Sequence, residues 1–139
     1  MPTFRNIYLI LILAAIMIPH AAEGAGLKIE KMSIYFENDR PEITVKRNYP
    51  LKAFVEIECS GDGLLVGQWE VDGYFLANIN MTISSGYRLL IESPDIPQIP
   101  TFVSGTHRIR LVITNPSLGI TFPTAIYFVT ADEWKESGE

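Results

Sequence analysis

From residue 51 onward apolar side chains recur at every second position, the rhythm of a strand with one buried and one solvated face. Leu51, Ala53, Val55, Ile57 and Cys59 fall on one side, and Lys52, Glu56, Glu58 and Ser60 on the other. Phe54 alone is out of phase. Ser60-Gly61-Asp62-Gly63 ends the strand with residues that tolerate positive φ. A hairpin comes next: Leu65, Gly67, Trp69 and Val71 alternate with Val66, Gln68, Glu70 and Asp72, and Asp72-Gly73 is a favoured pair for a tight type I′ turn. The return strand runs from Tyr74 towards Ile83, with Phe75, Ala77, Ile79, Met81 and Ile83 assigned to one face.

The flanking segments carry the same rhythm. Leu27 and Ile29 alternate, the phase slips at Glu30-Lys31, and Met32, Ile34 and Phe36 resume it. Such a slip predicts a bulge or a first strand that changes sheets. Turn residues at Asn38–Pro41 and Arg47–Pro50 bracket a short edge strand over Ile43–Val45. Ser84-Ser85-Gly86 turns the chain into a strand over Tyr87–Glu92. Pro94, Pro97 and Pro100 then suit an extended crossing between two sheets over Ser93–Thr101. His107, Ile109, Leu111 and Ile113 alternate with Arg108, Arg110, Val112 and Thr114. The last strand is placed over Ile120–Thr130, with Tyr127 and Val129 assigned to the outer face and Ala131–Glu139 read as a frayed polar tail. Seven or eight short strands with turns between them predict an all-β sandwich.

The first residues do not belong to that pattern. Arg5 is followed by an apolar run over Ile7–Ile18, then by Pro19-His20 and small residues from Ala21 to Gly26. This order predicts a secretory signal peptide over residues 1–24, cleaved near Gly24, and a domain over 25–139. The run is shorter than the roughly 20 residues that a membrane span needs, so no stable span is expected after cleavage. An uncleaved segment would tether the domain. The expected location is periplasmic or extracellular. A single cysteine, Cys59, forbids an internal disulfide.

Composition adds little beyond this. The hydrophobic fraction of 47% supports a packed core, and a net charge of −5 with no basic cluster argues against nucleic acid as a partner.

Two stretches are similar to immunoglobulin-like domains of bacterial exported proteins. Trp69-Glu70-Val71-Asp72-Gly73 resembles a W-x-V-D-G hairpin, and residues 105–115, GTHRIRLVITN, resemble the G-x-[YH]-x-V-x-L-x-V-x-N strand of polycystic-kidney-disease-type and fibronectin-type-III-like domains. Cys59, ten residues before Trp69, resembles the cysteine that packs beside the core tryptophan in antibody domains. The resemblance implies an immunoglobulin-like sandwich with Cys59 buried against Trp69, and it implies almost nothing about activity. Where related domains place a corner tyrosine, this chain has His107, which the resemblance expects to bond to backbone.

Candidate chemistry is sparse. His107 is the one imidazole beyond the signal, and a triad with Ser104 and an aspartate lacks a nucleophile elbow. Asp62 and Asp95 stand outside any D-x-D calcium loop, and Glu56/Glu58 and Glu70/Asp72 read as solvated carboxylates. No catalytic residue, cofactor or metal is expected. The surface of interest is a mixed charged and aromatic sheet face: outward Gln68 and Glu70 opposite outward Arg108 and Arg110, with Val112, Tyr127 and Val129 nearby. The function expected is an exported, non-catalytic module that binds a protein or a polysaccharide. One rival is a chaperone-like or assembly subunit that pairs a strand edge, over Ile43–Val45 or Ile120–Thr130. The other is an accessory domain of an enzyme.

Overall fold

Alternation that buries one face of each segment yields strands that must stack on one another. The structure is a computed structural model, and it describes residues 26–85, 87–119 and 121–137. Eight strands are present among these residues: β1 (Lys28–Phe36), β2 (Glu42–Arg47), β3 (Ala53–Ser60), β4 (Gly63–Val71), β5 (Tyr74–Ile83), β6 (Arg88–Glu92), β7 (Gly105–Asn115) and β8 (Thr124–Glu133). The signal peptide predicted over residues 1–24, with its predicted cleavage near Gly24, lies outside the described residues. No helix among the described residues is long and apolar enough to cross a membrane.

One sheet has the order β1-β3-β6 and the other β2-β8-β7-β4-β5. All pairings are antiparallel except β2 with β8. The two inner faces meet in one core. Phe36, Ala53, Val55 and Ile57 come from the smaller sheet, and Leu65, Trp69, Ile109, Leu111, Tyr127 and Val129 from the larger, all essentially inaccessible. Burying each large side chain contributes about 1.5–3 kcal/mol. Cys59 and Trp69 belong to this same core. Burial, and then the charge of Glu30, pushes the Cys59 thiol up, so it is a packing residue rather than a nucleophile.

Local predictions hold where the pattern was strict. The phase slip becomes a bulge between Ile29 and Lys31, and β1 stays in one sheet. Out-of-phase Phe54 faces outward beneath Tyr35, its cross-strand partner, with ring centroids 5.7 Å apart. Asp72 and Gly73 have φ of 53° and 81°, the two positive values that a type I′ turn requires. The proline-rich segment does carry the chain from β6 in one sheet to β7 in the other.

Four expectations are corrected. Tyr127 and Val129 point into the core, and Ile126 and Phe128 point out. Directly paired residues share a face, and β7 aligns inward Ile109 with Ala125 and His107 with Tyr127. Phe75 leaves the inner face because a bulge at Leu76 sets it opposite outward Glu70, and it is exposed. β8 is no edge: it is flanked by β2 and β7. The tail is held further than expected, since β8 runs to Glu133, Trp134 N donates to Arg47 O at 2.8 Å, and the Trp134 ring meets Tyr49 edge-on at 5.9 Å.

Candidate functional site

Pairing of β4 with β7 brings most of the predicted charged face together. Glu70 stands opposite Arg110 and Gln68 opposite Val112. Arg110 Nε donates to Glu70 Oε2 at 2.9 Å, and Gln68 Nε2 donates to Glu70 Oε1 at 2.9 Å. Both carboxylate oxygens are thus satisfied from within the sheet. Arg108 lies on the same face one row along, opposite Ile126, and makes no ion pair among the described residues. Tyr127 is absent from this surface because it is buried.

The other end of the hairpin carries a tighter arrangement. Positive φ at Asp72 turns its carboxylate back onto β7, where Oδ1 accepts from Arg108 N at 2.9 Å and Oδ2 lies 2.7 Å from His107 Nδ1. His107 Nε2 lies 2.7 Å from the carbonyl oxygen of Val103, in the crossing segment. Both partners are acceptors, so only a ring protonated on both nitrogens donates to each. Tyr127 supports the ring from below, stacked at 5.0 Å, while its hydroxyl donates to Pro100 O at 2.8 Å. Burial and then the charge of Asp72 raise the Tyr127 pKa well above the phenol range, which keeps that hydroxyl a donor. His107 therefore bonds to backbone as the corner residue was expected to, and Tyr127 shares the task. A Ser–His–Asp relay is not assembled, because the nitrogen that would face a serine faces Val103 O instead.

Burial by itself lowers the His107 pKa, but the bonds to Asp72 and Val103 and the Asp72 charge outweigh it, and the net shift is upward. A raised folded-state value contributes stability that is complete below the unfolded pKa of about 6.5 and is lost as pH rises through the folded value. Unfolding free energy is accordingly expected to fall with rising pH across that window. His107→Gln should flatten this slope in a series of urea titrations; an unchanged slope would show that the clamp does not titrate there.

The clamp positions a cleft. Val71, Asp72, Tyr74, Phe75 and Leu76 from the hairpin, with Pro100, Phe102, Val103 and His107, line a space of about 360 Å³. Tyr74 is 78% exposed, Phe75 58%, Phe102 67% and Val103 54%. Around Leu76 and Phe102 it adjoins a second space of about 390 Å³ beside Pro97–Thr101. A larger groove of about 560 Å³ lies on the sheet face between the Asn38–Glu42 turn and Thr106, Ile126 and Phe128. No cluster of three or more His, Cys, Asp or Glu side chains suited to a metal occurs among the described residues. Sequence reasoning missed Tyr74, Phe102 and Val103. Their signal was apolar side chains at the hairpin tip, Gly73–Phe75, and in the segment before β7, Pro100–Val103, where no core needs them.

No family model matches the sequence, and comparison with curated proteins gives no match. Among solved structures, the chain is similar to the CARDB domain of the PF1109 protein of Pyrococcus furiosus, crystallised in complex with di-metal ions. That likeness has a TM-score of 0.60 and 10% identity over 76% of this chain and 96% of that one. The solution structure of the same domain gives 0.58 and 10% over 76% and 97%. The C-terminal domain of wzt, at a TM-score of 0.38 and 18% identity over 84% and 85%, is too distant to carry an argument. At these identities the likeness bears on the fold alone, and it agrees with the all-β, two-sheet architecture described above: the chain is an immunoglobulin-like β-sandwich.

Proposed function

We propose that the chain is an exported, non-catalytic binding module that holds a protein partner in the cleft between the hairpin tip and the crossing segment. The observation that carries this reading is the convergence of four exposed apolar side chains, Tyr74, Phe75, Phe102 and Val103, on one cleft. Scattered exposed apolar residues are ordinary, whereas a gathered aromatic patch around a pocket is the anatomy of an interaction hot spot. A protein fits better than a polysaccharide. The polar groups at the floor, Asp72 and His107, are already bonded to each other and to backbone, and sugar hydroxyls buried there would lack partners. Export rests on the N-terminal sequence alone: Arg5, the apolar run and the small residues that follow.

The charged sheet face is a second reading, favoured by one observation: Arg108 is exposed, without an ion pair among the described residues, and neighbours exposed Ile126. Photo-crosslinking residues placed singly at Phe75, Phe102 and Arg108 separate the two. A discrete protein adduct from Phe75 and Phe102 is expected, and Tyr74→Ala in the same chain should abolish it. Adducts from Arg108 alone would move the site to the sheet face, and retention on isolated polysaccharide without any protein adduct would overturn the choice of partner.

A further inference from the structure

Among the described residues four strands end a sheet: β1, β6, β2 and β5. Three of them carry charge within the strand: Lys28, Glu30 and Lys31 on β1, Arg88 and Glu92 on β6, and Glu42, Lys46 and Arg47 on β2. Charges on an edge keep it hydrated and discourage pairing with another strand. β5 has no such protection. Its ten residues, YFLANINMTI, include no charge, no proline and no glycine. β4 is the one strand it pairs with, and beyond that ladder its backbone makes no hydrogen bond to other backbone among the described residues. On its inner side Ile79 and Met81 are only half buried, because this sheet is five strands wide and the opposing one three.

The edge is also self-complementary. Asn78-Ile79-Asn80 reads the same from both ends. In an antiparallel pairing centred on Ile79, Asn78 faces Asn80 of a second copy, twice over, and Ala77 faces Met81. From Ala77 to Met81 each residue keeps its own face in that register: the exposed asparagines stay outward, and the half-buried Ala77, Ile79 and Met81 stay inward. Each asparagine amide both donates and accepts, so an Asn–Asn pair satisfies itself. We propose that the β5 edge docks a second copy of this chain, antiparallel about a two-fold axis at Ile79, joining two five-stranded sheets into one of ten strands. This is the isologous contact that two-fold dimers use. It goes beyond the binding cleft and does not depend on it.

The test co-expresses the full chain in two forms with different C-terminal tags and measures how much of one is captured with the other. Unmodified copies are expected to be captured together. Asn78→Lys with Asn80→Lys in both copies sets like charges opposite one another and should lower capture by about tenfold or more. Pairing that variant with a copy bearing Asn78→Glu and Asn80→Glu should restore it. A second measurement does not depend on added charge: Asn78→Cys and Asn80→Cys copies, mixed, should form a disulfide-linked dimer, whereas Thr44→Cys on the exposed β2 edge should not. Absence of capture between unmodified copies, capture insensitive to the lysines, failure of the Glu copy to restore it, equal crosslinking at Thr44, or a crosslink to a different protein would each overturn the proposal.

Discussion

Trp69→Ala is expected to cost about 3–5 kcal/mol of folding stability, the range for deleting a large aromatic from a packed core. Small domains have only about 5–15 kcal/mol to lose. Trp69 is 1% exposed and lies on β4 between its register partners Leu111 on β7 and Ala77 on β5. Removing it opens a void that these neighbours, fixed by two ladders of backbone hydrogen bonds, cannot close. Its indole Nε1 is buried without a hydrogen-bond partner among the described residues. Trp69→Phe keeps most of the ring and deletes that unsatisfied donor, so it should cost clearly less than alanine. Urea unfolding followed by far-UV circular dichroism measures both. Equal losses for the two variants, or a loss below about 1 kcal/mol for alanine, would show that the ring is not the keystone of this core.

Gly67→Ala is expected to cost about 1–3 kcal/mol, although a single methyl is added. A Cβ at this buried strand position would stand 2.6 Å from the carbonyl oxygen of Val112, with Ile113 Cδ1 at 3.2 Å and Ile79 Cγ1 at 3.3 Å. The nearest obstacle is backbone, which cannot rotate aside as a side chain does. The ladder between β4 and β7 must separate locally, beside the register shift between Val66 and Gly67. A fall in the denaturation midpoint at unchanged m-value is the expected result, since the loss lies in the folded state. Gly67→Ala with unaltered stability would mean that β7 can retreat from β4 without penalty. That outcome would contradict the tight packing read at this crossing.

Much of the fold was legible because strand alternation is a local property. In β3 a strict apolar–polar alternation admits one burial pattern, and the structure follows it from Ala53 to Ser60. Turn chemistry is equally local: Asp72-Gly73 closes the hairpin through its two positive φ values wherever the hairpin lies. Ile126-Tyr127-Phe128-Val129 behaves otherwise. Four apolar residues in a row fit either phase, and only pairing with β7 selects Tyr127 and Val129 for the core.

The charged face was partly legible for the same reason. Alternation placed Gln68, Glu70, Arg108 and Arg110 outward, and the pairing of β4 with β7 made Glu70 the partner of Arg110. The cleft was not. Tyr74 and Phe75 are 27 to 29 residues from Phe102 and Val103 along the chain, and they meet because the crossing segment returns beside the hairpin, pinned there by His107 and Tyr127.

By itself, then, the amino-acid order determined the strand class, most of the strand positions, the type I′ turn and the burial of Cys59 and Trp69, since each follows from a two-residue period or from the φ preference of a turn pair. Only the tertiary structure decided which face of β8 is buried, which strands end their sheets, and that four apolar residues from the start of β5 and the segment before β7 share one cleft. Those are facts about neighbours brought together by long-range pairing, and no short window of residues contains them.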